Sequence, residues 1–92
     1  MSILISTGNI NQQYVTIDAI FAMDSHKQGF LKGTDPDKAF EGVKQRLREK
    51  CHEIGGNAVI NCQFEYRIAI AEGTFSSKQA IEIFAYGTAV IM

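Results

Sequence analysis

The segment from Gln79 to Ile91 constrains the fold most, because it alternates like a β-strand yet is apolar on both faces. A strand with one solvated face shows polar residues at every second position, and this segment does not. The segment therefore predicts a central strand with neighbours on both sides. Its two faces carry Ile81, Ile83, Ala85 and Ala89 on one side, and Ala80, Phe84, Tyr86 and Val90 on the other.

Two earlier segments also alternate with period two and predict strands. The first covers residues 14–23, with Val15, Ile17, Ala19, Phe21 and Met23 on one face. The second begins at residue 58, with Ala58, Ile60, Cys62, Phe64 and Tyr66 on one face, and residues 72–77 form the turn into the strand 79–91.

A helix is predicted between these two strands. Apolar residues recur at spacings of three and four, which places them on one stripe: Phe40, Val43, Leu47, Cys51 and Ile54. Thr34 or Asp35 suits the N-cap, and Pro36 suits the first turn. Gly55-Gly56 predicts the helix end, with one glycine left-handed. Residues 24–34 contain Gly29 and Gly33 and predict a loop.

The order strand, helix, strand, turn, strand fixes the topology. A crossover helix makes the first two strands parallel, and a tight turn makes the third antiparallel to the second. The sequence therefore predicts a two-layer α+β domain, βαββ, over residues 1–92. Its three-stranded, mainly antiparallel sheet has the order 1-3-2, and one helix covers one face.

One helix leaves the other sheet face uncovered, and several apolar residues are predicted to need shelter there or at the chain ends. One interpretation is that the terminal segments add short strands to their own sheet. The favoured interpretation is that short terminal strands and the uncovered face serve oligomer assembly. The interface candidates are Ile3, Ile5, Ile20, Phe84, Tyr86, Val90 and Met92.

Composition excludes several classes of partner. The formal net charge is −1 over 92 residues, which removes the basic excess that nucleic acid or an anionic membrane requires. The start of the sequence lacks the features of a signal peptide, and no apolar stretch approaches about 20 residues. We therefore expect a cytoplasmic protein with reduced thiols at Cys51 and Cys62, and neither nucleic acid nor membrane as a partner.

Three stretches resemble the YbjQ-like family, whose members are named as heavy-metal-binding domains: residues 14–20 (YVTIDAI), 55–64 (GGNAVINCQF) and 83–90 (IFAYGTAV). The resemblance implies a dodecin-like βαββ subunit and assembly into a ring, most simply a pentamer. Family members usually carry a longer basic, glycine-containing segment before the helix. Here the segment 24–35 is short.

Four residues are weak candidates for metal ligands: Cys51, Cys62, His26 and His52. A transition-metal site needs three or four convergent ligands. Cys51 and His52 are adjacent on the helix and therefore diverge by about 100°. Cys51 shares the apolar stripe and Cys62 lies among apolar neighbours, so we expect two buried thiols and no metal.

The sequence shows no nucleophile paired with a base, so we expect no catalytic residues, no cofactor and no enzyme. Asp18 lies in the first predicted strand and Glu82 in the third. Their carboxylates meet beside Tyr86 only if these strands are neighbours and both residues face away from the helix. Gly29 to Thr34 precede a helix start that attracts anions, but Asp35 and Asp37 place negative charge there. A solvated loop is the preferred interpretation.

Two functions remain open at this point. The first is a homo-oligomeric binding module that holds a small ligand or a metal ion between subunits or in a central channel. The alternative is an oligomeric scaffold or interaction protein with no chemistry of its own.

Overall fold

The helix and strands follow the predicted order, with one strand more than predicted. The computed structural model describes residues 2–27, 36–72 and 77–92. The elements are β1 (Leu4–Ile5), β2 (Val15–Lys27), α1 (Pro36–Glu53), β3 (Ala58–Glu72) and β4 (Ser77–Ile91). The predicted N-cap residues Thr34 and Asp35, the segment 29–34 before the helix and residues 73–76 of the predicted turn lie outside the described residues.

The sheet has the order β1-β3-β4-β2, and its central strand is the one that the sequence predicts. β4 pairs antiparallel with β2 on one side and with β3 on the other. The prediction of three strands is wrong, because Leu4 and Ile5 pair in parallel with Ala58 and Val59. The N-terminal segment thus joins the sheet of its own chain. The prediction of a loop is also wrong for residues 24–27, which continue β2 beside β4.

Helix α1 ends where the two glycines predict. Gly55 adopts φ +85°, and the amides of Gly55 and Gly56 donate to the carbonyls of His52 and Cys51 at 3.0 and 2.9 Å. The helix buries Val43, Leu47 and Cys51 as predicted, whereas Ile54 lies past the last turn and is exposed. The helix lies mainly over β2 and β4 and leaves Tyr66 and Ile68, on the helix side of β3, exposed.

Two β-bulges change which residues share a face. In β3 the register with β4 shifts between Ile60 and Gln63, where Asn61 has φ +51°. Ala58 and Ile60 therefore point away from the helix, whereas Cys62 packs beneath it, and the predicted common face is wrong. Gly87 lies opposite this bulge, where a Cβ would come within 2.9 Å of Val59 Cγ1 and 3.1 Å of the Ile60 carbonyl oxygen.

The second bulge lies in β2 between Thr16 and Asp18. Ile20 and Ala22 consequently face the helix and are buried, whereas Phe21 and Met23 face away from it and are exposed. The prediction that Ile20 lies on the uncovered face is therefore wrong.

One apolar residue near each chain end, Ile3 or Val90, is buried within the chain. Ile3 is buried in the main core, and its carbonyl accepts a hydrogen bond from Arg48 Nε at 3.2 Å. Val90 belongs to a second, smaller cluster with Ala58 and Ile60 on the opposite sheet face, covered by side chains from the segment between β1 and β2. The expectation that the apolar ends lack partners in one subunit is wrong for both residues.

The subunit is elongated, measuring 54 × 20 × 19 Å with a radius of gyration of 15.6 Å. A globular chain of this length has a radius of gyration of about 12 Å. Its accessible surface is 6279 Å², compared with roughly 5300 Å² for a compact monomer of this mass, as expected for an elongated shape.

Candidate functional site

The two thiols lie in the main core beneath the helix. Cys51 and Cys62 are fully buried and belong to the same cluster. Cys51 Sγ donates to the Ala58 carbonyl at 3.4 Å, and Gly56 packs so closely that a Cβ there would lie 2.7 Å from this sulfur. Burial raises the pKa of both thiols, so the protonated form is favoured. Each behaves as a small apolar side chain.

The candidate metal ligands do not form a site in this arrangement. His52 is exposed on α1, whereas its neighbour Cys51 points into the core. His26 lies in β2, and its side chain is outside the described residues. Among the described residues, no three His, Cys, Asp or Glu side chains come together as a metal site. The donor set among these described residues does not fit the heavy metal that the family resemblance implies.

The carboxylates Asp18 and Glu82 are far apart. Asp18 pairs with Ala89, seven residues along β4 from Glu82, which corresponds to about 23 Å. Asp18 accepts a hydrogen bond from the Ala19 amide, and Glu82 forms an ion pair with Arg67 at 3.0 Å. The strands are neighbours, but the two carboxylates do not meet beside Tyr86.

An aromatic patch occupies the uncovered sheet face, defined by Phe21, Met23, Phe84 and Tyr86. The rings of Phe21 and Phe84 stack with their centroids 6.2 Å apart, and the Arg67 guanidinium lies 5.4 Å from the Phe84 centroid. Phe21 is 51% exposed. Such a surface binds apolar or aromatic groups, and Arg67 adds a cation at its margin.

The outer edge of β2 is partly closed by charged side chains from the helix. Lys50 Nζ donates to the Phe21 carbonyl and lies 5.7 Å from the Phe21 ring. Arg46 pairs with Asp24 at 3.5 Å. A groove of about 330 Å³ lies along this edge, between residues 21–23 of β2 and the helix residues Arg46, Glu49, Lys50 and Glu53. Charged groups that cap exposed backbone groups protect an edge strand against unwanted pairing.

The structure separates the seven interface candidates into two groups. Ile3, Ile20 and Val90 are buried in their own chain, and Ile5 packs partly against the core. Phe84, Tyr86 and Met92 retain accessible surface. Contact with another subunit stays a prediction for all seven.

Sequence reasoning missed two members of the aromatic patch, Phe21 and Met23. It assigned them to the helix side because odd-numbered positions of the first strand are apolar throughout. The bulge between Thr16 and Asp18 instead turns Ile20 and Ala22 toward the helix. Arg67 was also missed, although Glu82 lies opposite it on the neighbouring strand.

The three stretches that resemble the YbjQ-like family lie side by side at the C-terminal end of β4. Residues 14–20 flank that end on β2, and residues 58–64 flank it on β3. Asn57 closes the same region, because its side chain donates to the Met92 carbonyl at 3.3 Å and accepts from the Met92 amide at 2.8 Å. The motif residues thus hold the bulged end of the sheet together.

Comparisons with known proteins agree with this fold. A solved structure from Pediococcus pentosaceus ATCC 25745, a protein with unknown function of the DUF74 family, matches over 100% of this chain and 99% of that one. The TM-score is 0.72 at 23% identity, which shows a shared fold. No curated protein matches the chain. In the described part of the chain, no helix is long and apolar enough to cross a membrane.

The family comparison is more specific. The YbjQ family model, described as "Putative heavy-metal-binding", matches residues 36–92, which include the helix, β3 and β4. This range covers well over half of the 92 residues and includes two of the three resembling stretches. The chain therefore belongs to the YbjQ family.

Proposed function

We propose that this chain is a homo-oligomeric binding module, a ring and most simply a pentamer, that holds a small ligand between its subunits. The carrying observation is the aromatic patch on the uncovered sheet face. Contiguous apolar surface on a small domain marks a binding surface, and stacked rings next to a guanidinium suit an apolar or aromatic ligand.

The exposure of the patch supports assembly. Phe21, Met23 and Tyr86 are each at least 41% exposed in the single chain, although they are large apolar or aromatic side chains. The ring itself comes from the family resemblance and from the need to cover this face in every subunit.

A small ligand fits the geometry better than a metal ion. Both thiols are sealed in the core, and the described residues of one subunit offer no set of three ligands. A metal ion would have to be shared between subunits. We propose no catalytic activity, because Asp18 on β2 lies opposite Ala89, far along β4 from Glu82. We place the module in the cytoplasm, where both thiols stay reduced.

A matched pair of variants tests this function. Tyr86 on the patch and Ile54 past the helix end are each 42% exposed. Tyr86→Asp should lower the sedimentation coefficient of the assembly, because it places a charge in the interface, whereas Ile54→Asp should leave assembly unchanged. Circular dichroism checks that both variants fold. Equal behaviour of the two variants would refute the role of the patch.

A further inference from the structure

The outer edge of β3 changes character along its length. Up to Cys62 the N-terminal segment covers it, since the amides of Asn61 and Cys62 donate to the carbonyls of Gly8 and Ser6, both at 2.9 Å. Beyond this point β3 pairs with β4 on one side, and no third strand of the described chain covers the other. An uncovered row of backbone donors and acceptors is a template for another strand.

The side chains along this open stretch alternate in chemistry. Phe64, Tyr66 and Ile68 lie on the helix side of the sheet, but the helix is centred over β2 and β4. Tyr66 is therefore 69% exposed and Ile68 59% exposed. Glu65 and Arg67 lie on the opposite face, and both are exposed. The stretch is thus an apolar stripe on one face and a pair of opposite charges on the other.

We propose that β3 of a second copy of this chain pairs antiparallel with this open edge, about a two-fold axis at Tyr66. Glu65 of each copy then lies directly opposite Arg67 of the other, which forms two ion pairs on one face. On the other face Phe64 lies opposite Ile68, and the two Tyr66 rings are neighbours. Directly opposed residues have Cβ atoms about 4.5–5.5 Å apart, so every one of these pairs is in contact.

The charges select this register over its neighbours. An axis at Glu65 would place two glutamates opposite each other, and an axis at Arg67 would place two arginines opposite each other. Like charges directly opposite are destabilising. An axis at Ile68 would place Glu65 and Arg67 opposite alanines and lose both ion pairs. Only the axis at Tyr66 pairs every charge with its opposite.

Arg67 is already held in place for this contact. Its Nε donates to Glu82 Oε1 at 3.0 Å, and its guanidinium lies against the Phe84 ring. The remaining N–H groups of the fork can donate to a second carboxylate. Glu65 has no ion pair within the described part of its own chain, so a second copy supplies its partner.

The pairing is limited to about seven residues, from Gln63 to Ala69, because the segment at Ser6 and Gly8 occupies the edge beyond Cys62. It joins chains two by two and leaves the aromatic patch around Phe21 free, since β2 lies at the opposite side of the sheet. It goes beyond the proposed ring and predicts an even number of chains. A lone pentamer would contradict this pairing and leave the proposed function intact.

A charge-swap experiment tests the pairing. Glu65→Arg opposes two arginines in each of the two contacts, and Arg67→Glu opposes two glutamates. Each variant alone should therefore pair roughly tenfold more weakly. Mixing the two variants restores both contacts with opposite charges, so native mass spectrometry should show mixed pairs in excess of like pairs. A statistical mixture, or unchanged pairing of Glu65→Arg alone, would overturn the proposal.

Cysteine cross-linking gives a second test that does not depend on Arg67→Glu folding. Tyr66→Cys places two thiols opposite each other across the axis, whereas Ile68→Cys places them four residues apart, or about 13 Å. Only Tyr66→Cys should give a disulfide-linked dimer under mild oxidation on a non-reducing gel. Both native cysteines are buried, so the unmodified chain is the background control. Equal cross-linking of both variants, or no cross-linking, would refute the register. Loss of the cross-link on addition of an apolar peptide or ligand would indicate that this molecule, and not a second copy, occupies the edge.

Discussion

Replacing Gly56 with alanine should destabilise the fold, because the thiol of Cys51 occupies the space that a methyl group needs. A Cβ at position 56 would lie 2.7 Å from Cys51 Sγ and 3.2 Å from the Val90 carbonyl oxygen. Ordinary carbon contacts lie at about 3.5–4.0 Å, so one of these neighbours must move. The described glycine with a positive φ is Gly55, not Gly56. The backbone of Gly56 therefore allows alanine, and only the lack of space for its methyl group opposes the change.

The expected loss is about 1–3 kcal/mol in the free energy of unfolding, as for other overpacked core positions. Urea denaturation followed by circular dichroism measures it, at one fixed protein concentration because assembly adds to apparent stability. Gly8→Ala is the matched control, since nothing lies within 4 Å of a Cβ there, and it should be close to neutral.

A double-mutant cycle isolates the contact. Cys51→Ala removes the sulfur, so Gly56→Ala should cost less in that background, with a coupling energy of about 0.5–3 kcal/mol. Strictly additive losses would refute the packing of Cys51 against Gly56.

Three further predictions concern the two thiols and the Asn57 side chain. Cys51→Ala and Cys62→Ala should each cost about 1–2 kcal/mol in urea denaturation, and a chelator should leave the unfolding midpoint unchanged, because the thiols act as apolar side chains; a midpoint lowered by chelator would show that a metal stabilises the fold. Asn57→Ala should cost about 1 kcal/mol, because both hydrogen bonds to Met92 are lost at an exposed position; an unchanged unfolding midpoint would show that this clamp contributes nothing. The free energy of unfolding should fall as the pH rises above about 8.5. Burial raises the pKa of both thiols, so the folded state keeps protons that the unfolded state releases. A Cys51→Ala/Cys62→Ala variant should show a flatter dependence of this free energy on pH, and an identical slope would contradict the assignment to the thiols.

Local patterns were sufficient to predict the helix and the central strand. The helix ends at Gly55-Gly56 because a left-handed C′ residue is a strong signal, and β4 is central because it is apolar on both faces. The two-residue strand β1 escaped prediction, since its pairing with Ala58 and Val59 depends on tertiary contacts rather than on its own sequence.

Side-chain faces were harder to predict, because each bulge inverts the alternation that follows it. Asn61, between Ile60 and Cys62, adopts a left-handed conformation that forms the bulge. The period-two pattern gives no sign of this bulge, and the one local signal is that asparagine tolerates the left-handed conformation. The glycine opposite, Gly87, makes room for the bulge, but the two residues are distant in sequence.

The candidate site shows the same limit. Both buried thiols were predicted, since each lies on an apolar pattern. The aromatic patch was predicted only for Phe84 and Tyr86, because the period-two pattern of β2 does not mark the bulge between Thr16 and Asp18. After this bulge Phe21 and Met23 face away from the helix and are exposed. The larger residues of β2, Phe21 and Met23, are the ones left exposed, which is consistent with a further partner on that face.

The central claim is that this chain is a homo-oligomeric binding module, and native mass spectrometry of protein purified from its own source tests it most directly. We predict a ring of 10.2 kDa subunits, or a pair of such rings. The assembly should carry a reproducible extra mass, which denaturation should release as a small organic ligand. A 10.2 kDa monomer at micromolar concentration, or an assembly without any extra mass, would contradict it.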